Sequence, residues 1–228
     1  MHVWLVLLLG SSFSLSAQNV CYNAGFDESP VGTYTGATSV SGWSLSSATY
    51  TACNAPISWI PGSAEFSVVA TPVFHPLIGI IPHAPTGGTN VAVMNSTIAN
   101  GSITRLQRAV TINSNTALMQ VAFAGLWQNS THSCCAQAGF TIRLTDTLGV
   151  QLTCTELSYA GPSCSSLSLY SVTSTFNYTN WQIKYYDLTP FTAKGKIVLE
   201  IEVRDCVSGD HCGYLYLDYP CPIQPLIA

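Results

Sequence analysis

Charged residues are scarce in this sequence. Of 228 residues, 7 are Lys or Arg and 11 are Asp or Glu, which makes the charged fraction 8% and the net charge −4. A nucleic-acid binder needs a positive surface to neutralise phosphates, and a coiled coil needs charged positions flanking its seam, so both classes are excluded. A disordered chain is excluded as well, because hydrophobic residues make up 47% of the sequence.

Long hydrophobic runs are also lacking. The extended apolar run over residues 3–10 is too short for a membrane-spanning helix, which needs roughly 20 residues. Its N-terminal position and the serine-rich stretch that follows are typical of a signal peptide. We predict a signal peptide over residues 1–17, with cleavage after Ser16 and an uncleaved N-terminal anchor as alternatives. The protein is therefore expected to be secreted or at the cell surface, without a transmembrane segment.

Helical periodicity is absent, whereas short β-branched and aromatic runs recur between turns. Residues 18–228 contain no linker and predict a single all-β domain, an antiparallel β-sandwich. Alternation of apolar and polar residues predicts a half-buried strand over 197–204, and residues 118–127, apolar at both parities, predict a central strand covered on both faces. The segment 203–219 reads as a hairpin with its turn at 206–211.

Catalytic signatures are missing too, since the sequence has no GxSxG, HExxH, P-loop or GxGxxG pattern. We therefore expect a protein that is not an enzyme. Continued past Val203, the alternation of the strand over 197–204 places Asp205 on the core side, where its carboxylate needs hydrogen bonds from turn amides or a metal. Asp205 and Asp210 are the acidic residues near His211, and this group is interpreted as a structural polar turn.

Cysteine, by contrast, is abundant, and in an exported chain it predicts disulfides. The odd count leaves at least one thiol unpaired in a monomer. The vicinal Cys134 and Cys135 are expected to reach different partners, and a bond between Cys206 and Cys212 could close the polar loop between them. The nine disulfide candidates are Cys21, Cys53, Cys134, Cys135, Cys154, Cys164, Cys206, Cys212 and Cys221.

Zinc binding is an alternative use of some of these cysteines. The segments 132–135 and 211–212 contain histidine and cysteine, the side chains that zinc prefers. The predicted oxidising compartment and the absence of paired CxxC motifs favour disulfides over this alternative.

Several segments resemble one known family. They are residues 23–27 (NAGFD) followed by 42–43 (GW), the stretch 123–137, residues 187–191 (DLTPF), and the closing segment 205–218. These are similar to motifs of the galactose-binding-like jelly-roll domains in secreted and surface proteins of gliding Gram-negative bacteria, which are related in architecture to carbohydrate-binding modules. Two residues depart from the family pattern: Asp210 replaces a usual glycine, and Cys212 replaces a usual aromatic residue.

The resemblance implies a jelly-roll topology and a non-catalytic module that binds carbohydrate or another cell-surface or matrix component. It also implies a structural calcium between the first and last strands, held by Asp27 and Asp218 with Glu28 as a possible third ligand. Family members usually carry a C-terminal sorting domain, so this sequence is either a fragment of a longer product or a stand-alone secreted copy.

Sugar recognition would use exposed aromatic side chains. Trp59, before a Pro-Gly turn, and Tyr185 and Tyr186, on opposite faces of one strand, are the predicted ligand-binding residues. Trp43 and Trp127 lie in apolar motifs and are predicted to be in the core. The alternative function is a structural adhesin or stalk domain without a small ligand, and a more distant alternative is a glycan-active hydrolase.

Overall fold

The computed structural model describes residues 25–38, 40–53, 57–75, 78–85, 87–95, 99–113, 118–160, 170–171 and 175–219. The predicted signal peptide and Cys21, Cys164 and Cys221 lie outside the described residues. In the described part, no helix is long and apolar enough to cross a membrane. The strands are Gly32–Thr33 (β1), Ser44–Thr49 (β2), Ile60–Pro61 (β3), Phe66–Ala70 (β4), Val73–His75 (β5), Gly79–Ile81 (β6), Asn90–Met94 (β7), Ser102–Thr111 (β8), Leu118–Gln128 (β9), Gly139–Thr145 (β10), Leu157–Tyr159 (β11), Tyr170–Ser171 (β12), Phe176–Asp187 (β13), Lys196–Arg204 (β14) and Gly213–Asp218 (β15).

The strands form two antiparallel sheets that pack face to face. The seven-stranded sheet has the order β1-β4-β7-β15-β9-β13-β12, and the six-stranded sheet has the order β11-β10-β14-β8-β2-β3. A separate hairpin is formed by β5 and β6. Short 3-10 helices cover Cys134–Ala136 and Thr189–Lys194. The predicted all-β sandwich of jelly-roll type is confirmed.

The core lies between the two sheets and follows the predicted alternation. Ile197, Leu199, Ile201 and Val203 on β14 are at most 1% exposed and belong to the same apolar cluster as Phe123 on β9. Burying a side chain of this size contributes roughly 1.5 to 3 kcal/mol. The half-buried strand predicted over 197–204 is therefore confirmed.

The central strand β9 is buried on both faces, as predicted, because the seven-stranded sheet is also covered on its outside. Phe123 and Trp127 point into the core between the sheets, whereas Ala124 and Leu126 belong to a second apolar cluster on the outer side. Ile81, from the hairpin of β5 and β6, packs in that second cluster. This outer cluster is the part of the fold on which the candidate ligand site is built.

The predicted hairpin over 203–219 is wrong. The strands β14 and β15 belong to different sheets, so the loop between them crosses the sandwich. Alternation cannot distinguish a hairpin within one sheet from a loop that joins two sheets, because both arrangements turn the same residues toward the core. In the loop, the buried Asp205 carboxylate accepts hydrogen bonds from the N–H groups of Asn100, Ser102 and Gly213 at 3.3 to 3.4 Å. Burial raises the pKa of Asp205 to about 6.

Candidate functional site

The residues predicted to bind a ligand lie in three different environments. Trp59 is half-buried beside β2 and β8, and the Arg105 guanidinium lies 3.9 Å from the centroid of its ring. The same shallow groove is lined by Ser46 and Gln107. Because a cation already covers one face of the indole, this groove has a charged character that the sequence does not reveal.

Tyr185 and Tyr186 point to opposite sides of β13, as predicted. Tyr185 is 53% exposed, whereas Tyr186 is 3% exposed and its hydroxyl donates to the carbonyl of Ile142 at 3.3 Å. Burial also raises the pKa of Tyr186. Tyr186 is therefore a core residue, and its assignment as a ligand-binding residue is corrected. Trp43 and Trp127 are 3% and 1% exposed, which confirms that both belong to the core.

A β-bulge in β13 shapes the outer side of the seven-stranded sheet. The register with β9 shifts between Thr179 and Gln182, so Asn180 and Trp181 together oppose the single residue Ala124. The Thr179 hydroxyl donates to the carbonyl of Asn180 at 2.9 Å and accepts from the Gln182 amide at 2.7 Å. An extra residue in one strand re-aims the side chains around it, and here it brings Trp181 to the outer side.

The bulge produces a groove between β13 and the hairpin of β5 and β6. Tyr178, Trp181 and Tyr216 lie together on the outer side of the sheet, and the Trp181 indole N–H donates to the carbonyl of Pro82 at 3.0 Å. The groove has a cavity volume of about 60 Å³ and is partly open to solvent. We call it the outer-face groove; its described lining residues are Ile78, Ile81, Pro82, Ala124, Gly125, Tyr178, Thr179, Asn180, Trp181 and Tyr216.

The outer-face groove is aromatic and uncharged. None of its described lining residues is Asp, Glu, Lys, Arg or His. Burial raises the pKa of Tyr216, so its hydroxyl stays protonated and can donate a hydrogen bond. The exposed Asn180 adds an amide that both donates and accepts. Flat apolar rings beside neutral hydrogen-bonding groups suit a ligand that is itself uncharged and amphipathic.

Sequence reasoning missed Tyr178 and Trp181 because the bulge is not visible in the alternation pattern. In a regular strand, side chains two residues apart share a face, so Tyr178 would share its face with Asn180 and not with Trp181. The bulge is evident only in the structure, as a change of parity along β13. Tyr178 faces outward before the bulge, and the buried Tyr186 faces inward after it.

The predicted calcium residues are brought together only in part. Asp27 accepts hydrogen bonds through Oδ1 from the backbone N–H groups of Thr89 and Asn90 at 2.7 and 2.9 Å. Its Oδ2 lies near the carboxylate of Asp218, a residue that is 1% exposed. A Cβ added to Gly88 would lie 3.4 Å from Asp27 Oδ2 and 3.1 Å from Asp218 Oδ2. Two carboxylate oxygens thus border one small space that a side chain at Gly88 would fill.

Glu28 is not part of this arrangement. Its side chain is exposed, and its charge acts on Arg108, whose pKa burial lowers while Tyr219 and Glu28 oppose the shift. Among the described residues, Asp27, Glu28 and Asp218 do not meet as a cluster of three metal ligands. The oxygen-only character of the space between Asp27 and Asp218 nevertheless fits calcium, which takes six to eight oxygen ligands.

The cysteines divide into bonded and free residues. Cys53 and Cys135 form a disulfide with a Cα–Cα distance of 5.5 Å, and Cys134 is disulfide-bonded as well. The vicinal cysteines therefore reach different partners, as expected. The exposed Cys154 and the buried Cys206 and Cys212 are free thiols, so their assignment as disulfide candidates is corrected.

The polar loop from 206 to 212 is not closed by a disulfide, and its two sulfur atoms have other neighbours. Cys206 Sγ accepts the N–H of His211 at 3.1 Å. Cys212 lies against Gln128, with Sγ 3.7 Å from the side-chain oxygen, and burial raises the pKa of the Cys212 thiol to about 11. The loop is therefore held by hydrogen bonds and not by a covalent bond.

No protein-family model matches this sequence, and a comparison with curated proteins finds no match. Among solved structures, the chain is similar to the enzymatically active domain of bacteriophage CBA120 tailspike protein 4, with 16% identity over 79% of this chain and 19% of that chain and a TM-score of 0.34. It is also similar to the K1 cleaved adhesin domain of Lys-gingipain from Porphyromonas gingivalis W83, with 12% identity over 78% of this chain and 88% of that chain and a TM-score of 0.38.

A third similar structure is the carbohydrate-binding module CBM27-1 of Caldicellulosiruptor saccharolyticus in complex with mannohexaose, with 11% identity over 68% of this chain and 81% of that chain and a TM-score of 0.35. The chain spans about a fifth of the tailspike domain's length. Because these TM-scores are below 0.5, the matches carry no weight in assigning a ligand, and the assignment depends on this chain's own residues.

Proposed function

We propose that this protein is a secreted or cell-surface, non-catalytic module that binds uncharged carbohydrate in the outer-face groove. The observation that carries the proposal is the convergence of Tyr178, Trp181 and Tyr216 with the Asn180 amide in a groove whose described lining residues bear no charge. Sugar rings present apolar faces and neutral hydroxyl groups, so aromatic stacking and neutral hydrogen bonds complement them.

The hydrolase alternative has less support. Glycoside hydrolysis uses two carboxyl groups on either side of the scissile bond, about 5 to 9.5 Å apart. The described lining of the outer-face groove supplies neither of them. Binding without turnover is the simpler role for this surface.

A glycan array with the secreted chain tests the proposal. We expect Trp181→Ala to abolish or strongly weaken the binding of the best glycan, with Trp59→Ala as the matched control, since Trp59 lies beside β2 and β8, strands of the other sheet. Trp181 also holds Pro82 through a hydrogen bond. Asn180→Ala is therefore needed as a second variant, because Asn180 is exposed and its loss leaves the packing intact.

The outcomes separate the candidate functions. Binding that survives both Trp181→Ala and Asn180→Ala but is lost in Trp59→Ala would move the site to the other groove. An array without any binding would favour the structural adhesin or stalk domain, and release of shortened sugars from a polysaccharide panel would favour the hydrolase.

We also propose that Asp27 and Asp218 hold a structural calcium ion. The support is that their Oδ2 atoms border the same space beside Gly88, and that carboxylate oxygens are the ligands calcium prefers. Adding Ca²⁺ to the metal-free protein should raise the thermal midpoint of the wild type and leave that of Asp218→Asn unchanged. An identical midpoint of the wild type with and without Ca²⁺ contradicts the calcium site and leaves the carbohydrate proposal intact.

A further inference from the structure

Three side chains with metal-binding atoms meet at the loop that crosses the sandwich. One ligand atom each from His132, Cys206 and His211 lies within 4.8 Å of the other two. Cys206 Sγ is 3.6 Å from His211 Nδ1, and the two imidazole rings are edge to face with centroids 4.9 Å apart. A sulfur and a nitrogen that share one tetrahedral zinc ion stand about 3.6 Å apart, given bond lengths near 2.3 and 2.05 Å.

An oxygen ligand is available beside this cluster. Asp210 Oδ1 lies 3.4 Å from Cys206 Sγ and 4.0 Å from His211 Nδ1. The Ser208 hydroxyl lies 3.3 Å from Cys206 Sγ and 3.4 Å from His132 Nδ1. One thiol, two imidazoles and one carboxylate form a donor set that suits Zn²⁺ and differs from the oxygen-only set of the proposed calcium site.

The backbone around the cluster holds the ligands in place. Cys206 is fully buried, and its N–H donates to the carbonyl of His211 at 3.0 Å, which closes the loop. His132 is fixed from the other side, because its carbonyl accepts the Gln137 side-chain amide at 2.6 Å. The N–H of Val207 donates to the carbonyl of Ala136 at 3.0 Å and joins the two segments.

The disulfide between Cys53 and Cys135 anchors the histidine segment next to this loop. It also removes Cys135 from the possible zinc ligands, and Cys134 is removed in the same way because it too is disulfide-bonded. Cys212 is turned toward Gln128. The thiol that remains near both histidines is that of Cys206.

We propose that His132, Cys206 and His211 form a binding site for a zinc ion, with Asp210 as the fourth ligand. Cys206 binds as the thiolate and releases its proton to solvent, so binding weakens as the pH falls. Asp210 is exposed and the histidines are half-exposed, which leaves the ion a path of entry. The site stabilises the connection between β14 and β15, and hence between the two sheets.

Metal binding by the full secreted chain, with its disulfides intact, tests this proposal. We expect one Zn²⁺ per chain in competition with a chromophoric chelator, and a Co²⁺-loaded form with a thiolate-to-cobalt charge-transfer band and tetrahedral ligand-field bands. Cys206→Ser should abolish the charge-transfer band and weaken Zn²⁺ binding by more than about a hundredfold, because it removes a direct ligand. His132→Gln and His211→Gln should weaken binding to a similar degree, and Asp210→Asn by about tenfold.

Cys212→Ser and His83→Gln are the matched controls, since each removes a thiol or an imidazole outside the cluster. Circular dichroism of every variant separates a lost ligand from a lost fold. A Co²⁺ form without the charge-transfer band, zinc affinity that is unchanged in Cys206→Ser, or the same loss of affinity in Cys212→Ser would each overturn the proposal. Failure of zinc binding would leave glycan binding in the outer-face groove unaffected, because the two sites share no residue.

Discussion

The outer faces of the two sheets differ sharply in charge. The outer-face groove on the seven-stranded sheet has no charged residue in its described lining. On the six-stranded sheet, Arg105, Arg143, Glu200 and Glu202 stand on neighbouring strands and pair across them. Four charged residues thus stand together on one face of the sandwich, and the uncharged aromatic groove lies on the other.

The charged side chains on the outer face of the six-stranded sheet form a network centred on Glu200. Its side chain is 5% exposed, pairs with Arg143, lies 3.8 Å from Arg105 and accepts the Gln107 amide at 2.6 Å. Burial alone would lower the pKa of Arg143, but the carboxylates of Glu202 and Glu200 raise it above its usual value. Cross-strand pairs of opposite charge stabilise the pairing of neighbouring strands.

The largest predicted effect comes from breaking this network. Glu200→Ala should lower the free energy of unfolding by about 2 to 3 kcal/mol, because it leaves two arginines on the sheet without their shared carboxylate. Urea unfolding followed by tryptophan fluorescence measures the change. Glycan binding at the outer-face groove should not change, since Glu200 faces the other side of the sandwich.

The matched control is the exposed ion pair of Lys194 and Asp146, whose charged atoms are 3.6 Å apart. Lys194→Ala should change the free energy of unfolding by less than about 0.5 kcal/mol, because exposed pairs are screened by water and salt. Equal losses in Glu200→Ala and Lys194→Ala would show that the buried network has no special role in stability.

A smaller effect is predicted at the edge of the neutral face. His75 on β5 is 6% exposed, its ring lies 5.2 Å from that of Tyr214, and burial lowers its pKa from the ordinary value of 6.5. As the pH falls below 6.5, the unfolded chain takes up a proton that the folded state resists, so stability decreases. Wild-type protein should therefore lose more stability between about pH 7 and about pH 5 than His75→Phe does.

His83→Gln serves as the control for this titration, because His83 is exposed. Thermal melts of the three proteins over the pH series provide the comparison. Parallel curves for the wild type and His75→Phe would mean that the His75 side chain is more hydrated than its burial indicates.

The sequence predicts the sandwich well because alternation along β14 and the two-sided burial of β9 are local patterns. It does not predict the outer-face groove, because one inserted residue at Asn180 and Trp181 reverses the alternation without any distinctive composition. It also cannot predict that the strands β14 and β15 lie in different sheets, since both arrangements bury the same residues.

The two proposed ion sites show the same limit at longer range. Asp27 and Asp218 could be paired only through a family resemblance, and Glu28, proposed on the same ground, does not join them in a cluster of ligands. His132 comes near Cys206 and His211 only because the loop that crosses the sandwich packs against the segment after β9. Pairings between distant segments depend on topology, which alternation does not specify.

The smallest predicted effect concerns salt, and it separates the two faces most directly. Binding that depends on the uncharged outer-face groove should change by less than about twofold between about 50 mM and about 500 mM NaCl, because screening acts on charges. Isothermal titration with the best glycan at several salt concentrations measures this. A steep loss of affinity with salt would place the ligand on the other face instead, at the groove where Arg105 covers the ring of Trp59 at 3.9 Å. In that case Arg105→Gln, and not Trp181→Ala, would abolish binding.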